Sequence, residues 1–335
     1  MQQPLVSILI PFKNTEAFFS ECLTSICEQT YLNWEVLAVN DSSDDSSLKI
    51  ADEYAREDTR IRVFENEGKG IIEALRTAYS FSKGFFITRM DSDDVMTSNR
   101  LDVMTTSLLE NGKGTIAIGK VKYFSKEGIG DGYSRYEKWL NSLTAKGNNY
   151  NEIYKECVIP SPCWMTHRSD FDACGGFEPN TYPEDYDLAF RFYENNLQCI
   201  PCDEVLLNWR DYDNRTSRNS EHYAQNYFLN LKIHYFLKLE YDTNRPLAIW
   251  GAGTKGKATA KSLLKKNVDF HWFCDNPNKI GRDIYGKKMR CYTELPTLKN
   301  PQSIVTVANL EAQKFIKTYF SELTQVQGED YFFFC

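Results

Sequence analysis

Two apolar runs near the start of the chain, Val6-Ser-Ile-Leu-Ile-Pro11 and Trp34-Glu-Val-Leu-Ala-Val39, have the length and β-branched content of buried strands. A helical pattern follows each run, and further strand patterns at Ile61 to Phe64 and Phe85 to Met90 continue the alternation. Strands that alternate with helices through short connections form a mainly parallel sheet with helices on both faces. The sequence therefore predicts a doubly wound α/β fold, which binds its ligand at the carboxyl ends of the strands.

The composition limits the class of protein. The chain has 335 residues, of which 42% are hydrophobic and 25% charged, enough for one large domain or two unequal ones. A formal net charge of −7 without a long basic run argues against nucleic-acid binding. Because the ten cysteines come without a secretory leader and no window holds roughly 18 apolar residues, we predict a cytoplasmic chain with reduced thiols.

The best candidate for a domain boundary is the polar stretch Tyr241 to Pro246, which ends a long helical pattern. We predict a first domain at residues 1–240, with a nucleotide-binding half at 1–100 and an acceptor half at 101–240. A fresh strand–turn–helix unit follows, which predicts a small Rossmann-like α/β domain at residues 245–335.

The most specific local pattern is Arg89-Met-Asp-Ser-Asp-Asp94, directly after the fourth predicted strand. Carboxylates at alternating positions past a buried strand can converge on one divalent cation, and oxygen ligands suit Mn²⁺ or Mg²⁺. Such a cation would bridge a diphosphate. Taken alone, the same residues would also suit the cap of the helix that follows.

With three other segments, this pattern resembles the inverting family 2 glycosyltransferases, which have the GT-A fold. The four segments, in the family's order and approximate spacing, are Val6 to Asn14, Val39 to Ser46, Arg89 to Leu101 and Glu184 to Leu188. The resemblance covers roughly residues 4 to 225. It implies a GT-A type mixed sheet and a metal-assisted enzyme that moves a sugar from a nucleotide-diphosphate-sugar donor to a hydroxyl acceptor.

The resemblance also implies roles for single residues. Those expected at the donor nucleotide are Pro11, Phe12, Asn14, Asp41, Lys69 and Asp91. Asp41 would accept hydrogen bonds from the base, Asp91 would contact ribose or metal, and Asp93 would coordinate the metal. Lys69 would reach the diphosphate as a point charge, or would be an ordinary exposed turn residue. Lys13, Ser42 and Asp44 differ from the usual family residues, so the base stays open, with a UDP-sugar favoured.

Attack on an anomeric carbon requires a group that takes the proton of the acceptor hydroxyl. The resemblance assigns this role to Asp185, and it implies inversion without a covalent sugar intermediate. Glu184 and Asp187 would suit an acidic first helical turn, stabilised by the helix dipole. The candidate acceptor-pocket residues are Trp164, Glu184 and His222, although a buried core position is as frequent for a tryptophan.

Family resemblance suggests a role in bacterial surface polysaccharide or lipopolysaccharide synthesis. The acceptor would be a glycan or a lipid-linked sugar at the inner face of the cytoplasmic membrane, with peripheral membrane association. The sequence does not indicate an oligomeric state.

A second glycine-rich turn, Gly251-Ala-Gly253-Thr-Lys-Gly256, lies between a predicted strand and a predicted helix. Asp275 follows at the end of the next strand, about 20 residues on, as in dinucleotide-binding folds. These four residues, Gly251, Gly253, Gly256 and Asp275, form a candidate second nucleotide site. The alternatives to a transferase are an NAD(P)-dependent oxidoreductase and a nucleotide-sensing protein that use this turn, but the oxidoreductase leaves Asp91 and Asp185 unexplained.

Overall fold

The structure is a computed structural model that describes residues 3–213, 215 and 227–335. The chain forms two compact units. The first contains the residues up to Asn149 and those from Val158 to 215, and the second contains Tyr150–Cys157 and the residues from 227 onwards.

An eight-stranded mixed sheet forms the centre of the first unit. Its strands are β1 (Val6–Phe12), β2 (Trp34–Asn40), β3 (Ile61–Glu65), β4 (Phe86–Arg89), β5 (Val95–Met96), β6 (Thr115–Phe124), β7 (Trp164–His167) and β8 (Gln198–Arg210). Their order in space is β3-β2-β1-β4-β7-β6-β8-β5. The four strands predicted from the sequence pair in parallel, whereas β7 runs antiparallel to both β4 and β6.

Helices flank this sheet, namely α1 (Phe19–Cys27), α2 (Ser47–Glu57), α3 (Ile71–Phe81), α4 (Arg100–Asn111), α5 (Asp131–Thr144), α6 (Arg168–Ala173) and α7 (Glu184–Glu194). The amphipathic pattern of α1 explains its packing, since Phe19, Leu23 and Ile26 recur at helical spacing and are fully buried in the core. Burial of each such side chain contributes roughly 1.5–3 kcal/mol.

The register of the parallel strands places their polar ends together. Phe12 of β1 lies opposite Asn40 of β2, and Leu9 of β1 lies opposite Arg89 of β4. The segments that follow β1, β2 and β4 therefore leave the same edge of the sheet, and they carry the acidic residues of the candidate site.

A second, six-stranded sheet organises the second unit. It consists of β9 (Leu247–Trp250), β10 (His271–Cys274), β11 (Asp283–Ile284), β12 (Lys287–Cys291), β13 (Gln302–Val305) and β14 (Tyr331–Phe333), with helices α8 (Tyr227–Leu239), α9 (Thr254–Lys265) and α10 (Leu310–Glu322). The spatial order is β11-β12-β10-β9-β13-β14, and only the short β11 pairs antiparallel among these described strands.

The units divide the chain differently from the predicted domains. Helix α8, predicted to end the first domain, belongs to the second unit because Phe236 packs against Phe332 and Phe334, with ring centroids 5.3 and 5.9 Å apart. Tyr154 of the Tyr150–Cys157 segment stacks on Phe334 at 5.5 Å and joins the same aromatic cluster. Aromatic packing therefore places both α8 and the Tyr150–Cys157 segment in the second unit. The polar stretch at Tyr241 to Pro246, predicted as the domain boundary, lies inside that unit.

Candidate active site

Asp41 fixes the loops at the carboxyl edge of the first sheet. Its backbone N–H donates to the Phe12 carbonyl oxygen at 2.9 Å. Its Oδ1 accepts from Asn66 Nδ2 at 2.7 Å and from the Gly70 N–H at 2.9 Å. The other oxygen lies 3.9 Å from the ammonium of Lys13. Asp41 thus lies at the predicted edge, with Oδ1 hydrogen-bonded within the protein and Oδ2 beside the exposed ammonium group of Lys13.

The acidic turn after β2 is locked to the loop after β1. Asn14 Oδ1 accepts from the Asp44 N–H at 2.9 Å, and the Asn14 N–H donates to Ser43 Oγ at 3.1 Å. Asn14 and Ser42 have φ angles of 52° and 59°, which is uncommon for residues other than glycine, and the two bonds hold Asn14 in that region. The side-chain oxygen of Asn14 therefore holds the turn together.

Pro11 and Phe12 are buried at the end of β1. The Phe12 ring packs against Phe19 at 4.6 Å between centroids, so its side chain belongs to the core and only its backbone borders the site. Lys69 is exposed in the turn between Gly68 and Gly70, and its contact with the diphosphate stays a prediction.

Asp91 and Asp93 lie together past β4. Asp91 Oδ1 accepts from Arg89 Nε at 2.8 Å, and Asp93 Oδ2 accepts from the Tyr212 hydroxyl at 2.9 Å. Burial raises the pKa of Asp93, against the attraction of Arg215. Within the described residues, no three His, Cys, Asp or Glu side chains form a ready-made metal shell. The arrangement fits a cation such as Mg²⁺, which proteins hold through one or two carboxylates together with substrate phosphates and water.

Asp94 has a different role from its two neighbours. It is fully buried, and its Oδ1 accepts from the Arg210 backbone N–H at 2.8 Å. Arg210 in turn donates from Nε to the Asp93 carbonyl oxygen at 2.7 Å. Asp94 and Arg210 therefore join the acidic turn to the end of β8, which fixes the backbone that carries Asp91 and Asp93.

The candidate base, Asp185, lies in the first turn of α7. Burial, followed by repulsion from Glu184, raises the pKa of Asp185 to about 7. Its Oδ1 accepts from the Tyr186 N–H at 2.8 Å. A carboxyl group with this pKa is suited to accept a proton near neutral pH, because general bases work best when their pKa lies near the operating pH.

Arg89, which the sequence did not single out, connects the two halves of the site. It is 4% exposed at the end of β4, and it donates from Nε to Asp91 Oδ1 at 2.8 Å and from Nη1 to Glu184 Oε1 at 2.9 Å. These two carboxylates outweigh the effect of burial and raise the pKa of Arg89 above its ordinary value. The guanidinium therefore ties a candidate metal ligand to the helix turn that carries Asp185. The sequence feature that could have identified Arg89 is its position as a charged residue at the end of an apolar strand.

Glu184 and Asp187 flank the candidate base, and each forms an ion pair with an arginine. Glu184 is 4% exposed and pairs with Arg89, so its side chain is buried and its expected contact with an acceptor stays a prediction. Asp187 pairs with Arg191 at 2.8 Å, and Arg191 donates to the Gly176 carbonyl oxygen at 2.8 Å. Of the three acidic residues in this turn, Asp185 alone has no ion pair with a described residue.

Two other candidates for the acceptor pocket have different outcomes. Trp164 is 2% exposed, and its ring packs against Phe171 and Phe192 with centroids 5.9 and 5.5 Å apart. Trp164 is therefore a core residue and its place in the acceptor pocket is wrong, because β7 lies in the middle of the sheet and buries this side chain. His222 lies outside the described residues.

The glycine turn of the second unit follows β9. A Cβ on Gly251 would lie 2.4 Å from Thr306 Oγ1, and one on Gly256 would lie 2.2 Å from the Gly251 carbonyl oxygen. A Cβ on Gly253 would meet nothing within 4 Å, and Asp275 is exposed just after β10. Gly251 and Gly256 therefore permit close packing of α9 against the turn, while Gly253 borders open space.

Solved structures resemble this chain in fold. The Staphylococcus aureus TarS 1–349 structure with UDP-GlcNAc aligns with a TM-score of 0.57 at 17% identity, over 78% of this chain and 71% of that one. The mannosyltransferase PcManGT of Pyrobaculum calidifontis, solved with GDP-Man and Mn²⁺, aligns with a TM-score of 0.50 at 17% identity, over 78% of this chain and 70% of that one. These similarities confirm the predicted GT-A type α/β fold.

Sequence comparison identifies the family. The UDP-Glc:alpha-D-GlcNAc-diphosphoundecaprenol beta-1,3-glucosyltransferase WfgD of Escherichia coli is 30% identical over 229 residues, which are 65% of this chain and 82% of that protein. The profile of "Glycosyl transferase family 2" matches residues 7–175, half of the chain, and contains the acidic turn after β2 and the Asp91–Asp94 cluster. The predicted enzyme class is confirmed, and the chain belongs to glycosyl transferase family 2.

Proposed function

We propose that this glycosyltransferase moves a sugar from a UDP-sugar to a hydroxyl group of a glycan or lipid-linked acceptor, with inversion at the anomeric carbon. The observation that carries the proposal is the position of Asp185. Its pKa is about 7, and its helix turn is joined through Glu184 and Arg89 to Asp91. A base suited to neutral pH is thereby held beside the acidic cluster expected at the donor.

In the proposed reaction, the Asp185 carboxylate accepts the proton of the acceptor hydroxyl as its oxygen attacks the anomeric carbon. The new glycosidic C–O bond forms while the bond to the β-phosphate oxygen breaks, and that electron pair leaves with the nucleoside diphosphate. A Mn²⁺ or Mg²⁺ ion, held by Asp91 and Asp93, would neutralise charge on the diphosphate. Arg89 keeps the base turn and the acidic cluster in register, and Asp41 offers Oδ2 to the nucleobase.

Several observations support the substrate classes. WfgD, whose name specifies UDP-Glc and a lipid-linked diphosphate sugar, matches this chain over 82% of its length, and TarS was solved with UDP-GlcNAc. A Mn²⁺ ion is present in the PcManGT structure.

None of the described helices has the length and apolarity to cross a bilayer. We propose that the enzyme works at the cytoplasmic face of the membrane by peripheral association, in surface polysaccharide synthesis.

For the second unit we propose a Rossmann-like accessory domain. Its five parallel strands lie in the order β12-β10-β9-β13-β14. β9, the first of them in sequence, is central. The next strands extend the sheet on one side of β9, and β13 and β14 extend it on the other side. This is the strand order of dinucleotide-binding sheets, and the glycine turn follows their first strand.

The test is release of nucleoside diphosphate from a panel of UDP-, GDP- and dTDP-sugars with candidate acceptors, in Mn²⁺, Mg²⁺ or EDTA. We expect metal-dependent release from a UDP-sugar, reduced at least about 100-fold in Asp185→Asn because the general base is lost. Asp131→Asn is the matched control, since Asp131 is an exposed aspartate in the first turn of α5. Equal rates for Asp185→Asn and the native enzyme would disprove the assignment of the base, and release from another nucleotide class alone would disprove the donor.

A further inference from the structure

Tyr212, two residues past the end of β8, contacts the acidic cluster that is expected to hold the cation. Its hydroxyl donates to Asp93 Oδ2 at 2.9 Å, across 119 positions of sequence. Asp93 is 9% exposed, so this bond is made in a largely buried place, where a hydrogen bond is stronger than in water. The transfer mechanism gives Tyr212 no role, and the sequence patterns did not select it.

The phenol of Tyr212 is held in place through both its ring and its backbone. The ring packs against Phe18, the N-cap residue of α1, with centroids 4.7 Å apart. The Asp211 N–H donates to the Phe124 carbonyl oxygen at 2.9 Å. The Arg215 N–H donates to the Tyr212 carbonyl oxygen at 3.2 Å. The hydroxyl therefore approaches the carboxylate in a defined orientation.

The bond from Tyr212 limits how the Asp93 carboxylate can meet a cation. A carboxylate can bind a cation through one oxygen or through both. Binding through both would make the cation compete with the hydroxyl proton for the lone pairs of Oδ2. Hydrogen bonds to metal-binding groups orient them, and loss of such a bond costs about 10- to 100-fold in metal affinity. The arrangement thus favours binding through a single oxygen of Asp93.

The number of oxygens that Asp93 offers matters because cations differ in the geometry that they accept. Mg²⁺ requires nearly ideal octahedral coordination, and Mn²⁺ also uses octahedral oxygen sites. Ca²⁺ takes about six to eight oxygens in a flexible arrangement and can bind a carboxylate through both. We propose that Tyr212 is a positioning residue that restricts Asp93 to one oxygen and thereby selects Mn²⁺ or Mg²⁺ over Ca²⁺. The inference rests on the proposed function, which places the cation at Asp91 and Asp93.

Arg215 offers an alternative account of how the carboxylate is oriented. It is 8% exposed, and its guanidinium attracts the same carboxylate of Asp93. If Arg215 alone oriented Asp93, removal of the Tyr212 hydroxyl would change no cation affinity. A general loosening of the acidic turn would weaken the binding of all cations equally. The ratio of the Ca²⁺ and Mn²⁺ dissociation constants therefore separates the three explanations.

Direct measurement of cation binding, which needs no turnover, tests the proposal. The full-length protein is titrated with Mn²⁺ in the presence of UDP, and free Mn²⁺ is read from its electron paramagnetic resonance signal. The Ca²⁺ affinity follows from competition with bound Mn²⁺. In Tyr212→Phe we expect the Mn²⁺ dissociation constant to rise about tenfold or more. We expect that of Ca²⁺ to change by less than about threefold, because binding through both oxygens offsets the lost orientation.

Tyr79→Phe is the matched control. Tyr79 is also a half-buried tyrosine, and its hydroxyl donates to an aspartate outside the acidic cluster, at Asp172 Oδ1. We expect both cation affinities of this variant to stay within about twofold of the native values. Asp93→Asn removes the expected ligand and should abolish tight Mn²⁺ binding. Since each tyrosine variant loses one hydroxyl, the two should show similar and small changes in Tm.

A native ratio of the two dissociation constants in Tyr212→Phe would overturn the proposal, whether both cations or neither bound more weakly. An equal change of the ratio in Tyr79→Phe would overturn it as well. If the native protein bound no Mn²⁺, or if Asp93→Asn bound it as tightly, the cation would not lie at Asp93. The metal assignment of the proposed function would then fail together with the inference. The Asp93 variant and the Tyr212 variant therefore distinguish the two failures.

Discussion

Replacement of Arg89 by lysine is the sharpest test of how the active site is held together. Lysine keeps the positive charge, but one ammonium group cannot reproduce the planar pair of bonds that Arg89 makes to Asp91 at 2.8 Å and to Glu184 at 2.9 Å. Loss of one charge-assisted hydrogen bond costs about 1.5–3 kcal/mol. If that energy positions Asp185 in the transition state, kcat falls by roughly 10- to 150-fold.

The assay is steady-state nucleoside diphosphate release over a range of pH and metal concentrations. Arg89→Lys should lower kcat. The acidic midpoint of the pH–rate profile, which reports the ionisation of Asp185, should not move, because the positive charge that favours ionised Asp185 remains. Arg89→Met removes that charge, so the midpoint should move upward. A purely structural role would not move a pH midpoint.

Arg62→Lys is the matched control. Arg62 also donates to two acceptors, the Glu35 carboxylate oxygen Oε2 at 2.7 Å and the Phe81 carbonyl oxygen at 2.8 Å. Neither acceptor belongs to the acidic cluster. We expect its kcat to stay within about twofold of the native value. The reasoning is refuted if Arg89→Lys retains native kcat and metal dependence, or if Arg62→Lys loses as much activity.

Three further predictions follow from single contacts. Because Asp185 must be ionised to accept a proton and its pKa is about 7, kcat should fall about tenfold per pH unit well below 7 and level off above it, which a pH–rate profile measures. Gly256→Ala should destabilise the second unit by about 1–3 kcal/mol in urea unfolding, since its Cβ would lie 2.2 Å from a backbone oxygen, whereas Gly253→Ala should change it by less than about 1 kcal/mol. Trp164→Ala should lower the free energy of unfolding by about 3–5 kcal/mol, and an increase in acceptor KM at unchanged stability would restore Trp164 to the pocket.

Local patterns in the sequence were sufficient for the four parallel strands β1 to β4 of the first sheet, out of eight, and for the position of the acidic residues that follow them. The strands at Val6–Phe12 and Trp34–Asn40 are uniformly buried, and uniform burial is what their continuous apolar runs predict. Asp41 and Asp91 follow strand ends, and parallel strands bring such ends to one edge of a sheet. These inferences needed no knowledge of contacts between distant residues.

The missed features all depend on such contacts. Arg89 meets Glu184 across 95 positions of sequence, and neither residue has a local pattern that names its partner. Trp164 is buried by the order of the strands around β7, which appears only when antiparallel pairing is known. The helical pattern that precedes Tyr241 predicted a helix at the end of the first domain, but local pattern does not show that Phe236 packs against Phe332 in the second unit.

The Tyr150–Cys157 segment affects how the second unit folds during translation and which truncations of the chain it tolerates. The chain leaves the first unit at Asn149, returns to it at Val158, and enters the second unit again after the undescribed stretch. Truncation after residue 240 would remove Phe332 and Phe334, and would leave Tyr154 without those aromatic neighbours. During synthesis on the ribosome, this segment emerges long before β14, so the second unit completes its aromatic cluster only after Phe332 and Phe334 have been translated. A graft of that unit onto another enzyme would have to carry both pieces.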